Sequence, residues 1–211
     1  MGSALSLDVV ILAGGLGTRL RGVWDGPKCL VPVAGRPLLE RMLEAVARFS
    51  VRRPLLVLGH KHREVMEWLA ENKVPAEYIV ESLPEGTAGA LQYAAGHLHL
   101  CSALPDSLLV LNGDTLPRYE LEMLIDNHAQ HLHCLATAAM TRVSANWKAT
   151  YAGACVLSAA AIEEILADKR SVDLEKHLLG CQPYYVPDFF DVGTPEGLAR
   201  ANEHFKKEMA T

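Results

Sequence analysis

Residues Val9 to Leu20 read VVILAGGLGTRL, and this stretch decides the fold. Val9–Ala13 is short, β-branched and apolar throughout. That is the pattern of a central strand in a parallel sheet, buried on both faces, rather than the alternation of a half-exposed strand. Three of the next four positions, 14–17, are glycine. Glycines directly after a buried strand let the backbone bend and bring its N–H groups onto an anion. Arg19 adds a planar, forked cation that matches phosphate oxygens. Two familiar phosphate loops are excluded. No Gly-Lys-Ser/Thr closes this one, and Gly15-x-Gly17 is followed by Leu20 where a dinucleotide fingerprint needs glycine.

Outward from this stretch, strand-length apolar runs alternate with amphipathic helix-length segments. Arg36–Phe49 reads as a helix with Pro37 in its first turn, because Leu38, Leu39, Met42, Leu43, Val46 and Phe49 recur at helical spacing. Strands are expected at Pro54–Leu58, Glu77–Glu81, Ser107–Leu111, Cys134–Met140, Gly153–Leu157, Tyr184–Val186 and Phe190–Val192. Helices are expected at Lys61–Asn72, Thr87–His99, Leu121–His128, Ala159–Ala167, Asp173–Leu179 and Pro195–Lys206. Strand-then-helix repetition implies an α/β fold with a mostly parallel sheet covered on both faces. Ligands then sit beyond the carboxyl ends of the strands, which singles out the loops after Ala13, Leu58, Glu81, Leu111 and Val192.

The chain has 211 residues, half of them hydrophobic and 21% charged, which fits one globular domain and excludes a disordered chain. Net charge is −5. That argues against sequence-blind binding of nucleic acid, so an anionic substrate must be held by local basic groups. No window has the apolar length of a membrane span, and Leu7–Ala13 lacks the basic leader of a signal peptide. The five cysteines, Cys29, Cys101, Cys134, Cys155 and Cys181, are widely spaced with no C-x-x-C, which argues against a zinc site and fits a reducing cytoplasm.

The local basic groups are present. Between positions 19 and 36 stand Arg19, Arg21, Lys28 and Arg36 against the single acid Asp25. Cations flanking a glycine nest read as a phosphate clamp. Asp114 follows an apolar strand and a glycine, and Asp191 lies in Phe189-Phe190-Asp191-Val192-Gly193-Thr194-Pro195. A strand-end carboxylate near phosphates is the ligand type Mg²⁺ prefers. Asp114 also reads as an Asx turn, and Asp191 as a helix cap, a role Thr194 fits equally. Trp24 reads as a lid over the phosphate loop and Trp68 as core. Spacings of three and two keep His128, His131 and His133 off a common helix face.

Together, ILAGGLGTRLRGVWDGPKCLVPVAGRPLLERML (residues 11–43), Gly86-Thr87-Ala88-Gly89-Ala90, Asn112-Gly113-Asp114 and Asp191-Val192-Gly193-Thr194 resemble the signature of sugar-1-phosphate nucleotidylyltransferases, in order, along nearly the whole chain. The resemblance implies a single Rossmann-like, three-layer, GT-A-like domain over residues 1–211, with 1–115 mainly nucleotide-binding and 116–211 mainly sugar-phosphate-binding. It implies a cytoplasmic enzyme whose partners are a nucleoside triphosphate and a sugar 1-phosphate, with no nucleic acid and no membrane; a homodimer is compatible with it. Arg19, Lys28 and Asp114 are then catalytic. Leu12, Ala13, Gly14, Gly15, Gly17, Thr18, Arg19, Glu81, Gly86 and Thr87 bind the nucleotide, Asn112, Gly153, Glu175 and Lys176 the sugar, and Asp114 and Asp191 one Mg²⁺.

Base choice rests on Glu81. A carboxylate only accepts hydrogen bonds; guanine offers two adjacent donors, whereas uracil and thymine place one donor between two acceptors. Glu81 therefore favours GTP. Leu20-Arg21-Gly22-Val23 and Asn112-Gly113-Asp114-Thr115 most resemble the guanylyltransferases acting on D-glycero-α-D-manno-heptose 1-phosphate. Mannose, N-acetylmuramate or glucose 1-phosphate, UTP or dTTP, and a catalytically silent nucleotide-sugar sensor are the alternatives. One departure bears on the sugar: relatives carry a longer segment, with a Glu-Lys pair, where only Val143–Ala152 separate Arg142 from Gly153.

Overall fold

β1 (Leu7–Leu12) runs through the middle of the molecule, buried at every position. The structure, a computed structural model, describes residues 7–47, 53–101, 104–131, 133–142, 149–167, 174–178 and 181–210. After β1 come β2 (Pro32–Val33), β3 (Arg36–Pro37), α1 (Leu38–Val46), β4 (Leu55–Leu58), α2 (His62–Glu71), β5 (Glu77–Val80), α3 (Gly86–Cys101) and β6 (Ser107–Asn112). The chain continues through β7 (Thr115–Pro117), α4 (Leu121–Gln130), β8 (Ala136–Arg142), β9 (Ala149–Ser158), α5 (Ala159–Ala167), α6 (Leu174–His177), β10 (Gln182–Tyr185), β11 (Phe189–Asp191) and α7 (Pro195–Met209).

Among the described residues seven strands form one sheet in the order β10-β8-β9-β6-β1-β4-β5. β1 pairs in parallel with β4 and β6, β4 with β5, and β10 with β8, while β9 runs antiparallel to both β6 and β8. The mostly parallel mixed sheet of the sequence reading is therefore present, with β9 as the inverted strand. Alternation along β1 divides the core. Val9 and Ile11 pack with Leu38, Val65, Leu124 and Leu198 from α1, α2, α4 and α7. Val10 and Leu12 pack on the other face with Leu91, Ile162 and Leu174 from α3, α5 and α6. Each such leucine, removed from water, contributes about 1.5–3 kcal/mol.

Several boundaries differ from expectation. Arg36 and Pro37 belong to no helix: they pair with Pro32 and Val33 as a two-stranded ribbon, and α1 begins at Leu38. Residues 48–50, where that helix was expected to end, lie outside the described residues. β9 starts at Ala149 rather than Gly153, so the connection to β8 narrows to residues 143–148, also outside the described residues. β11 leaves the main sheet and pairs antiparallel with β7, a strand with no counterpart in the sequence reading. Among the described residues no helix is long and apolar enough to cross a membrane.

Candidate active site

The carboxyl ends of β1, β4, β5 and β6 open on one side of the sheet. β1 delivers Gly14–Gly17, which passes through a left-handed Gly17 into a one-turn helix at Thr18–Leu20. Leu20, 1% exposed, pins that turn into the core. Gly14 is glycine because the neighbouring strand ends come so close. Its carbonyl accepts the His60 N–H at 3.2 Å, and a Cβ there would strike Glu81 Oε1 and stand 3.2 Å from Gly59 N.

The cations converge on the carboxylates. Lys28 Nζ donates to Asp114 Oδ2. Arg19 reaches both acids, 3.8 Å from Asp114 Oδ2 and 3.3 Å from Asp191 Oδ2. Asp191 Oδ1 also accepts the Gly193 N–H at 2.9 Å, and Asp114 Oδ1 accepts the Thr115 hydroxyl at 3.2 Å. The β7–β11 ribbon holds the two acids side by side, since the Val192 N–H donates to the Asp114 carbonyl at 2.8 Å. Two cations and two anions thus balance. The Lys28 side chain is 13% exposed and that of Arg19 57%, so the Arg19 pairs contribute little stability and the guanidinium is free to move to a ligand. Two oxygen-donor carboxylates gathered by one guanidinium suit a hard cation such as Mg²⁺, which takes its remaining ligands from water and phosphate. Among the described residues no group of three or more His, Cys, Asp or Glu could hold a metal ion by itself.

Arg36 is not part of this clamp. Its guanidinium bonds Glu40 at 2.8 Å and Glu44 along α1, and those bonds raise its pKa beyond its already high ordinary value. Trp24 is no lid either: half-buried against the core, it donates Nε1–H to the Pro27 carbonyl at 2.9 Å and fixes the turn before Lys28. Thr194, not Asp191, caps α7, accepting the Gly197 N–H at 3.1 Å. His128 is buried on Thr137 Oγ1 at 3.0 Å, a structural contact.

Beside the ion cluster lies a cavity of about 210 Å³. Of the residues expected at the site, Leu12, Ala13, Gly14, Gly15, Lys28, Glu81, Gly86, Thr87, Asn112 and Asp114 line it. Gly17, Thr18, Arg19 and Asp191 stand outside its lining, as do Gly153 and the exposed Glu175. A side chain at Gly153 would run into Thr115 Oγ1 at 2.5 Å, so it too borders the strand that follows Asp114. The Lys176 side chain lies outside the described residues. Asn112, expected on the sugar, shares the cavity of Glu81. Leu16, Cys29, Pro84, Ala90 and Gly113 also line that cavity, and Gly193 borders the ion cluster, although none was singled out as a site residue. All but Pro84 stood inside the quoted motifs.

Glu81 Oε2 and Asn112 Oδ1 are buried acceptors with no partner. Desolvation, then the nearby Glu85 charge, raises the Glu81 pKa. A carboxyl that holds its proton more tightly when folded makes the folded state lose stability as pH rises through that range. Glu81→Gln is therefore expected to melt higher than wild type at about pH 8, with the gain shrinking as the pH is lowered toward the carboxyl range. Parallel melting curves at several pH values check this; a variant that melts lower at alkaline pH overturns it.

The nucleotidyl transferase family model matches residues 8–152. The bifunctional protein GlmU of Mycobacterium tuberculosis is 36% identical over 132 residues, 58% of this chain and 25% of that protein. The GlmU of Methanococcus maripaludis is 32% identical over 121 residues, 57% of this chain and 28% of that protein. The chain thus spans about a quarter of the length of these relatives. The crystal structure of HddC from Yersinia pseudotuberculosis complexed with GMP-PN superposes with a TM-score of 0.72 at 26% identity, over 94% of this chain and 99% of that one. A UDP-glucose pyrophosphorylase complexed with UDP-glucose has a TM-score of 0.76 at 15% identity, over 97% and 100% of the two chains, a likeness of fold alone.

Proposed function

The chain belongs to the nucleotidyl transferase family, and on that premise we propose that it joins a nucleoside triphosphate to a sugar 1-phosphate. The favoured pair is GTP and D-glycero-α-D-manno-heptose 1-phosphate, and the products are a nucleotide sugar and pyrophosphate. The observation that carries this reading is the convergence of Lys28 and Arg19 on Asp114 and Asp191 beside the glycine turn. The family match, and the likeness to HddC, crystallised with GMP-PN, support it.

The sugar phosphate oxygen attacks the α-phosphorus in line, and the bond to pyrophosphate breaks. No covalent nucleophile is needed, because positioning and charge neutralisation carry most of such a transfer. The Gly14–Gly17 amides and Arg19 hold the outgoing phosphates. Lys28 lies between, against the α-phosphate and the attacking oxygen. Asp114 and Asp191 would hold Mg²⁺, which would supply Lewis-acid charge neutralisation between the two substrates. Glu81, with two carboxylate oxygens and an unsatisfied acceptor, takes the N1–H and 2-amino donors of guanine.

The test is pyrophosphate release, with Mg²⁺ and with chelator, from GTP, ATP, CTP, UTP and dTTP against the heptose and mannose 1-phosphates. Mg²⁺-dependent release from GTP with the heptose is expected. Hydrogen bonds to a charged acceptor are worth roughly ten- to a hundredfold in selectivity, so Glu81→Gln narrows the GTP preference by about that factor. Release from another pair keeps the chemistry and overturns the specificity. Silence from protein that still binds a nucleotide sugar makes it a sensor.

A further inference from the structure

Asp191 owes its place to the β7–β11 ribbon, and that ribbon is short. Its rungs are Asp191 with Thr115, Phe190 with Leu116 and Phe189 with Pro117. A two-stranded ribbon is marginal on its own. The inner end is secured at the site, where the Val192 N–H donates to the Asp114 carbonyl. At the outer end Pro117 has no N–H to give, and the Phe189 N–H is donated to Asp188 Oδ1 at 2.8 Å.

Side chains close that outer end. Carrying the antiparallel register one step outward sets Asp188 opposite Arg118, and Arg118 Nη1 donates to Asp188 Oδ2 at 2.9 Å. Arg200 Nη2, from α7, donates to the same oxygen at 3.1 Å. The two guanidinium groups stand 5.2 and 5.7 Å from the ring centre of Phe190, which is 2% exposed. Burial alone would raise the Asp188 carboxyl, but the Phe189 N–H and the two arginines hold it below its ordinary value, so it is ionised at neutral pH. One carboxylate thus ties β11 to β7 and both to α7. Exposed ion pairs are weak singly, and a network on one residue is where they count. Register is what this network guards. A slip of one residue sends every side chain to the opposite face, and Asp191 would leave Asp114 and Arg19.

We propose that Asp188 is a positioning residue: clasped by Arg118 and Arg200, it holds β11 in register with β7, so that Asp191 stands beside Asp114 and the two acids can share one divalent cation. The inference rests on the nucleotidyl-transfer reading of the site, in which those acids hold Mg²⁺. Asp188 acts only through the ribbon. Where the paired register is populated for part of the time, apparent metal affinity falls by that fraction, and excess metal restores it.

Pyrophosphate release at saturating substrates, followed against free Mg²⁺ on wild type, Asp188→Ala and Asp188→Glu, tests it. Thermal melting and hydrogen–deuterium exchange of amides 189–193 accompany the rates. Each exposed pair is worth up to about fivefold, so Asp188→Ala raises the Mg²⁺ concentration for half-maximal rate by roughly three- to twentyfold. At excess Mg²⁺ its maximal rate returns to within about twofold of wild type. The Val192 and Gly193 amides exchange faster without metal or nucleotide, and Asp188→Glu, which keeps the charge, moves each readout back toward wild type. An unshifted Mg²⁺ dependence in a protein that melts lower leaves Asp188 a stabilising role alone and overturns the proposal. A lowered maximal rate that excess Mg²⁺ does not recover overturns it too, because the loss then lies outside the acid pair. If wild type releases no pyrophosphate from any pair, the reading of the site falls. Unchanged exchange at 192 and 193 overturns the role of Asp188 in the ribbon whatever the activity.

Discussion

Lys28→Ala is expected to lower turnover about 10²–10³-fold while leaving the protein folded, by the usual cost of one preorganised donor at a developing charge. Lys28 is the least exposed cation of the site and bonds Asp114 directly, whereas Arg19 approaches Asp114 no nearer than 3.8 Å. Without Lys28, no ordered side-chain cation among the described residues stands where charge develops between the substrates. The resting cost is small, because the Asp114 side chain is 23% exposed and water can solvate it. Lys28→Arg is a poor rescue: the lysine Cβ packs toward Gly17, and a planar fork does not replace a compact ammonium there. Turnover measured beside thermal melting separates the two effects. Near-full activity from a well-folded Lys28→Ala protein removes Lys28 from the chemistry.

Gly113→Ala is the second large effect, and it reaches both stability and rate. An added Cβ would stand 2.5 Å from the Leu12 carbonyl oxygen and 2.9 Å from the Ala13 Cα. Both are backbone atoms of the central strand, and the Gly113 N–H already donates to that same carbonyl at 3.0 Å. Side-chain tips could swing aside; these atoms cannot, so β1 and β6 must spread. Overpacking of this kind costs about 1–3 kcal/mol, and each kcal/mol lowers Tm by roughly 2–4 °C at this chain length. The displacement passes to the next residue, Asp114, and a misplacement near 1 Å costs about 10²-fold in rate. A variant matching wild type in both melting and turnover refutes the argument.

The buried parallel strands were the easiest elements to read. β1, β4 and β6 are continuous apolar runs, and their observed limits fall within two residues of expectation. The β2–β3 ribbon was hidden because two-residue strands have no period. Its only signal was the turn at Ala34 and Gly35, both with positive φ, and the apolar spacing behind Pro37 masked it. The start of β9 was lost at Gly153, where φ is +75° and the pairing with β8 shifts register. The exclusion of Arg36 from the clamp was half legible: Glu40 stands four residues on, the ion-pair spacing of the expected helix, whereas Glu44, eight residues on, had no such signal. The meeting of Lys28 with Asp114 was legible only through the joint motifs, since the two stand 86 positions apart. The bond that the Leu174 N–H donates to the Thr87 hydroxyl had no signal, because nothing near either residue in the chain marks the other as its partner.

The β7–β11 ribbon has a consequence for when the site comes into being. Thr115 pairs with Asp191 across 76 intervening steps of chain. Closing a loop of that length costs entropy before the contact returns anything, which makes such pairings late events in folding. During synthesis, β1, β4, β5 and β6 are complete long before Asp191 is made, and domains organise from the N-terminal side as the chain emerges. The glycine turn and the cavity lined by Glu81 therefore have their residues early, and the second carboxylate arrives last. On the proposed function, a chain caught between these stages has made the residues that hold a nucleotide before the second of the two acids, so the means of binding precede the means of transfer.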